Sequence, residues 1–185
     1  MRRPWGRPAA QAFAAGCVVV LASACSSSTD PIEPKDPKIS AATPTAVAPT
    51  LPPAAAADTP EGAIAFVEHY VELLNYASDT GDVTALRAAS DPTCKGCNSY
   101  IKLYEETYAN GGYFRDPGWK VSEISSDVLD GARVIFLDID APGGSQRQTT
   151  TAPVEATMDR NYKLASQVIR SGSGWSISYL GRQAE

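Results

Sequence analysis

The chain has 185 residues, 43% of them hydrophobic and 20% charged, with a formal net charge of −5. That length fits one domain with ordinary core-forming composition. The acidic balance disfavours nucleic acid and anionic lipid as partners by bulk charge.

In chain order, Arg2, Arg3 and Arg7 come first, then an uncharged run from Ala9 to Ala24 weighted by Phe13, Val18, Val19, Val20 and Leu21. The run is too short to span a bilayer comfortably and ends in small residues. This predicts a signal peptide over residues 1–24 rather than a short buried helix. Ala22-Ser23-Ala24 is an A-x-A cleavage pattern with Cys25 directly after it. The stretch resembles the lipobox of bacterial lipoproteins, with Ala22 standing where leucine is usual and Leu21 one place further back. Both kinds of cleavage fall before Cys25. The resemblance implies that Cys25 carries lipid and holds the chain on the outer face of the cell membrane; the alternative is a free thiol in a secreted protein. Cys17 has too little apolar sequence before it for that role. Pro-Trp-Gly-Arg after Arg2-Arg3 is a poor twin-arginine continuation. Cleavage removes three arginines and no acid, taking the net charge from −5 to −8.

Residues 25–59 carry prolines at 31, 34, 37, 44, 49, 52 and 53 among Ala, Ser and Thr, without apolar periodicity. Such a segment buries too little to offset its ordering entropy, and a disordered, polyproline-biased tether is expected. Its reach is at most about 105 Å.

From Pro60 to about Gly181 the pattern is that of an α+β domain, with a boundary expected at residues 60–182. A first helix starts at Pro60 behind Asp58 or Thr59 as cap. It places Ile64, Phe66, Val67, Tyr70, Val71, Leu73 and Leu74 on one half of the wheel and Glu61, Glu68, Glu72 and Asn75 on the other. A short helix is expected over Asp82–Ala89. A third follows Pro92, with Cys97, Tyr100, Ile101, Tyr104 and Tyr108 on one face and Gly111-Gly112 as its stop. The period then changes to two. Trp119, Val121 and Glu123 open a first strand, Asp130-Gly131 signals a hairpin, and Ile135, Leu137 and Ile139 alternate with Phe136, Asp138 and Asp140. Residues 145–157 read either as an extended edge or as a loop. Two strands close the chain, the last with Trp175, Ile177 and Tyr179 alternating.

A long amphipathic helix, short helices and a meander ending in Gly-Trp-x-Ile resembles the nuclear-transport-factor-2-like (cystatin-like) fold, which implies helices packed into a curved antiparallel sheet as a cone. Together with the Cys25 region, the Pro-rich spacer and the C-x-x-C before a helix, the chain also resembles an uncharacterised lipoprotein family of high-GC Gram-positive bacteria, a domain of unknown function.

With Cys17 lost and Cys25 lipidated, Cys94 and Cys97 remain in an oxidising compartment. Zinc would need two further ligands, and residue 98 is Asn, not the His of a haem-attachment motif. No metal or cofactor is expected. A short disulfide at the start of the helix is the first reading of this pair; thiol redox work, with Cys94 near a helix N-terminus, is the alternative. His69 is expected at the surface. Asp138 and Asp140 are expected on a solvated strand face, although paired carboxylates can also do acid–base work or bind calcium. Tyr100, Tyr104 and Tyr108 pack in the core or line a pocket. No catalytic set emerges. The expected function is a tethered, non-catalytic module binding an envelope protein or a small ligand, the rival being an enzyme acting on a small hydrophobic molecule in the cone.

Overall fold

The computed structural model describes residues 46–172 and 174–183. The expected signal peptide, Cys25 and the tether up to residue 45 lie outside them. Among the described residues no helix is long and apolar enough to cross a membrane.

Three helices precede all of the strands: α1 (Pro60–Thr80), α2 (Thr84–Ala88) and α3 (Lys95–Ala109). The strands are β1 (Gly111–Arg115), β2 (Lys120–Leu129), β3 (Ala132–Ala141), β4 (Gly144–Thr149), β5 (Glu155–Thr157), β6 (Arg160–Ser171) and β7 (Gly174–Arg182). They form two antiparallel sheets, a larger one in the order β2-β3-β6-β7 and a smaller one in the order β1-β4-β5. The class is α+β.

Thr59 caps α1, its Oγ1 accepting the Gly62 amide at 3.0 Å, with Pro60 in the first turn. The apolar half of α1 is buried as the wheel demands, from Phe66 and Val67 to Leu74 and Ala77. His69 departs from expectation: only 6% of it is exposed, and its Nδ1 lies 3.4 Å from Glu72 Oε2. Neighbours crowd α1 on several sides, with both sheets, α2, α3 and the chain before it all against it. Burial therefore extends past the apolar half of the wheel.

That preceding chain corrects the expected domain boundary. Pro53–Ala56 forms a 3-10 turn packed on α1 and β7, with Ala55 buried. The Trp175 indole donates to the Ala57 carbonyl at 3.1 Å. A Cβ at Gly62 would lie 2.1 Å from that same carbonyl oxygen, so glycine permits the approach. The last residues of the expected tether therefore belong to the domain. Composition could not reveal this, because the partners are a helix glycine and a distant tryptophan.

Asp130 and Gly131 take φ of 51° and 78°, and Leu129 pairs with Ala132, which closes the two-residue β2–β3 hairpin. Ile135, Leu137 and Ile139 face inward, opposite Ser166, Leu164 and Tyr162 of β6. Two irregularities shift the expected alternation. Val121 pairs with Ile139 but Glu123 with Asp138, so Ser122 is extra and Ile124, not Glu123, packs against the core. Likewise Ile177 pairs with Val168 but Tyr179 with Gln167, which turns Tyr179 outward at 50% exposure and buries Leu180 instead. The ambiguous region resolves into β4 and β5, and β1 adds a strand where only a helix stop was expected.

A candidate binding cavity walled by aromatic side chains

α3 is fixed against β7 at its first turn. Cys94 is the N-cap residue, and its Sγ accepts the Cys97 amide at 3.2 Å. The two sulfur atoms lie 2.02 Å apart, at bonding distance. Both cysteines are fully buried, and Cys97 Sγ lies 3.9 Å from the Ile177 carbonyl oxygen of β7. A Cβ on Gly96 would come within 1.9 Å of the Leu180 carbonyl oxygen, so helix and strand meet backbone to backbone. This seating aims the next turns of α3 over the open end of the larger sheet.

A cavity of about 680 Å³ lies there. α3 contributes Tyr100, Leu103 and Tyr104; β1 contributes Phe114; Trp119 comes from the approach to β2 and Tyr162 from β6. The rings touch in sequence. Tyr100 stands edge-on to Trp119 at 5.6 Å, Trp119 tilts against Tyr162 at 5.6 Å, and Tyr104 stands edge-on to Phe114 at 5.5 Å. Such geometries are favourable for ring quadrupoles.

Trp119 owes its position to α1. Asn75 Nδ2 donates to the Trp119 carbonyl at 2.9 Å, and the Trp119 amide donates to Asn75 Oδ1 at 2.8 Å. One side chain thus satisfies both backbone groups of a residue that precedes its strand.

Charge is divided across the cavity. Arg160 and Arg182 stand on the β6–β7 side and Asp116 on the β1 side. The Arg182 guanidinium lies 5.0 Å from the Tyr162 ring centroid. The ion pairs among the described residues join Arg87 to Glu105, Lys102 to Glu106 and Lys163 to Asp138, so neither cavity arginine is in one. Burial raises the Tyr100 pKa, the neighbouring Tyr162 adding to it and Arg182 opposing it. Burial also drives Tyr104 well above the ordinary phenol range, with Tyr100 next in effect and Asp116 a smaller contributor. Both phenols therefore stay protonated at neutral pH and can donate hydrogen bonds.

Of the three tyrosines singled out by sequence, Tyr100 and Tyr104 line this cavity and Tyr108 does not. Its hydroxyl lies 2.6 and 2.7 Å from the Ser78 and Asp79 carbonyl oxygens, which share its one proton, at the C-terminal end of α1. The reason is helical drift. Each four-residue step overshoots a full turn by roughly 40°, so Tyr108 points about 80° away from Tyr100. Sequence reasoning missed Phe114, Tyr162 and Arg182 as cavity residues. Parity along β6, with Arg160, Tyr162 and Leu164 on one face, carried part of that signal.

Asp138 and Asp140 lie on the other face of β3. Lys163 Nζ donates to Asp138 at 2.7 Å, and the Asn161 amide donates to Asp140. Among the described residues no group of three or more His, Cys, Asp or Glu converges as a metal site.

No curated protein matches the chain. Among solved structures, the intermembrane space region of the chloroplast protein ARC6 is similar at 16% identity and a TM-score of 0.49, covering 69% of this chain and 98% of that one. A protein from Catenulispora acidiphila is similar at 11% identity and a TM-score of 0.44, covering 66% and 91%. Likenesses this distant leave function open. The sequence itself matches a family of unknown function (DUF6318) across residues 41–134, which takes in all three helices and reaches into β3. With just over half of its residues in that match, the protein belongs to this family of unknown function.

Proposed function

We propose that the protein is an extracytoplasmic lipoprotein, held to the outer face of the cell membrane through lipid on Cys25, whose folded domain is a non-catalytic module that binds a small ligand. The observation that carries the binding role is the cavity of about 680 Å³. Its size falls within the usual range for ligand sites, and aromatic walls with a few polar groups are the usual lining. The ionisable side chains with raised pKa in it are tyrosines held protonated by burial, which suits hydrogen-bond donation better than proton abstraction. Helices preceding antiparallel strands, with two register irregularities in the larger sheet and a cavity between α3 and that sheet, support the nuclear-transport-factor-2-like cone. Burial of both sulfurs supports a structural rather than a redox role for Cys94 and Cys97.

The binding role is tested by native mass spectrometry of protein extracted from its own envelope. The expected result is a small molecule retained by the wild type, lost from Trp119→Ala, and recovered chemically unchanged after prolonged incubation with fresh protein. Retention by both proteins, absence from both, or conversion of the molecule overturns it. The anchor is tested by Cys25→Ser, which should release the protein or leave it unprocessed; normal cleavage with unchanged membrane retention overturns it.

A further inference from the structure

The cavity's charges and rings are arranged in an order that selects among ligands. Arg160, Tyr162 and Leu164 share the inner face of β6, and Arg182 is the direct cross-strand neighbour of Leu164 on β7. Tyr162 is flanked by the Arg182 guanidinium at 5.0 Å and by Trp119 at 5.6 Å. Two guanidiniums thus stand beside the ring wall, with no carboxylate among the described residues at ion-pair distance from either. The one acid lining the cavity among the described residues, Asp116, comes from the opposite side, and its Oδ1 accepts the Gly118 amide at 2.9 Å. A ligand cation would meet Arg182 where it would seek the Tyr162 face. A wholly apolar ligand would strip water from two arginines without replacing those hydrogen bonds. A ligand carrying an acidic group meets both needs, since guanidinium pairs with oxyanions through parallel hydrogen bonds.

On the reading that this cavity binds a small ligand, we propose that the ligand is an amphipathic organic anion. Its flat apolar body lies against Trp119 and Tyr100, and its carboxylate, phosphate or sulfonate is held by Arg182 and Arg160. Because the chain is acidic overall, long-range attraction does not bring the anion in, and selection falls to these two side chains.

The test uses two dyes with one ring system, anilinonaphthalene sulfonate and the uncharged N-phenylnaphthylamine, titrated by fluorescence into the folded full chain. The sulfonate dye should bind more tightly by about tenfold, the scale of one charge-assisted hydrogen bond. The double variant Arg160→Gln/Arg182→Gln should bring the two dyes to parity, leaving the uncharged dye unaffected. Trp119→Ala should weaken both; Leu103→Asp at the exposed rim serves if that variant fails to fold. Equal binding of the two dyes to wild type, or a sulfonate preference that survives the double variant, overturns the anion proposal and leaves the cavity as a binding site. Failure of both dyes to bind the folded protein overturns the binding-cavity reading and this proposal with it.

Discussion

Gly96 turns the first turn of α3 onto the Leu180 carbonyl, 1.9 Å from where a Cβ would stand. In an exposed helix, glycine to alanine stabilises by up to about 1 kcal/mol. Here the added carbon must push helix and strand apart, and overpacking of this kind costs roughly 1–3 kcal/mol. Gly96→Ala is therefore expected to destabilise, read as a lower urea midpoint at unchanged slope. A raised midpoint would show that no such close approach exists. Asn75 makes a second case at this scale. It stands on the polar half of α1 and looks like ordinary solvent-facing asparagine, yet it carries both hydrogen bonds to the Trp119 backbone. Asn75→Ala leaves a half-buried amide and carbonyl without partners, a loss of about 1–3 kcal/mol. It should also change Trp119 fluorescence, which a merely destabilised fold with an intact Trp119 setting would not. Nothing in the sequence separates Asn75 from other polar helix residues, because its partner lies 44 positions away.

Among the elements, α3 depends most on a single covalent link. The bond between Cys94 and Cys97 closes a loop so short that chain entropy allows it only about 2 kcal/mol. Its effect is local, since the same turn holds Gly96 on β7 and points Tyr100 and Tyr104 into the cavity. The double variant Cys94→Ser/Cys97→Ser should lose about that much stability in chemical denaturation and keep its helical signal. A fully exchangeable pair at the potential of a dithiol oxidoreductase, measured in the folded wild type, would sink the structural assignment. The elements that announced themselves did so by long periodicity or strong turn chemistry: α1 by a 3.6 period over 21 residues, the β2–β3 hairpin by Asp130-Gly131. β1 and β4 gave no such sign. Gly-Gly-Tyr-Phe-Arg is too short to show alternation, and Gly-Ser-Gln-Arg-Gln-Thr is polar throughout. Each becomes a strand by pairing with the other, Tyr113 opposite Arg147 and Phe114 opposite Gln146. That pairing joins residues more than thirty positions apart, and it brings Phe114 to the cavity, while Tyr162 and Arg182 arrive through β3–β6 and β6–β7 pairing. The cavity was thus legible only on the one helix whose period is local.

At the scale of the whole molecule, the phenols inside the fold set the pH range over which it stands. Tyr70 is almost fully buried, its hydroxyl sharing a hydrogen bond with Ser90 Oγ at 2.8 Å, and burial raises its pKa from 10.0 to about 12. Tyr100, Tyr104 and Tyr108 are raised as well, burial being the leading cause in each. For a group whose folded pKa exceeds its unfolded value, the stabilisation is complete below the unfolded pKa and disappears as pH climbs through the folded one. Stability should therefore hold up to about pH 10 and fall steeply toward pH 12, with Tyr70 alone accounting for something on the order of 2–3 kcal/mol at the upper end. The acid side is governed differently. Asp82 and Asp91 are held below the usual carboxylate range by hydrogen bonds from Thr84 and Thr93, so their contribution is present above the ordinary carboxylate pKa and is lost only as pH drops through the lowered values. Both are exposed, and that limb should be shallow. Net negative charge grows at high pH and adds self-repulsion in the same direction as the tyrosines. Added salt separates the two, since it screens repulsion between surface charges and leaves the desolvation of a buried phenol in place. Denaturation midpoints followed from pH 7 to 12 at two salt concentrations, with tyrosinate absorbance recorded alongside, should show a salt-resistant loss in which the tyrosinate signal and unfolding rise together. Tyr70→Phe should flatten that loss, because the phenylalanine has no proton to release. Ionisation of all the tyrosines near pH 10 in a still-folded chain would mean that water reaches the interior and that burial does not hold these groups neutral.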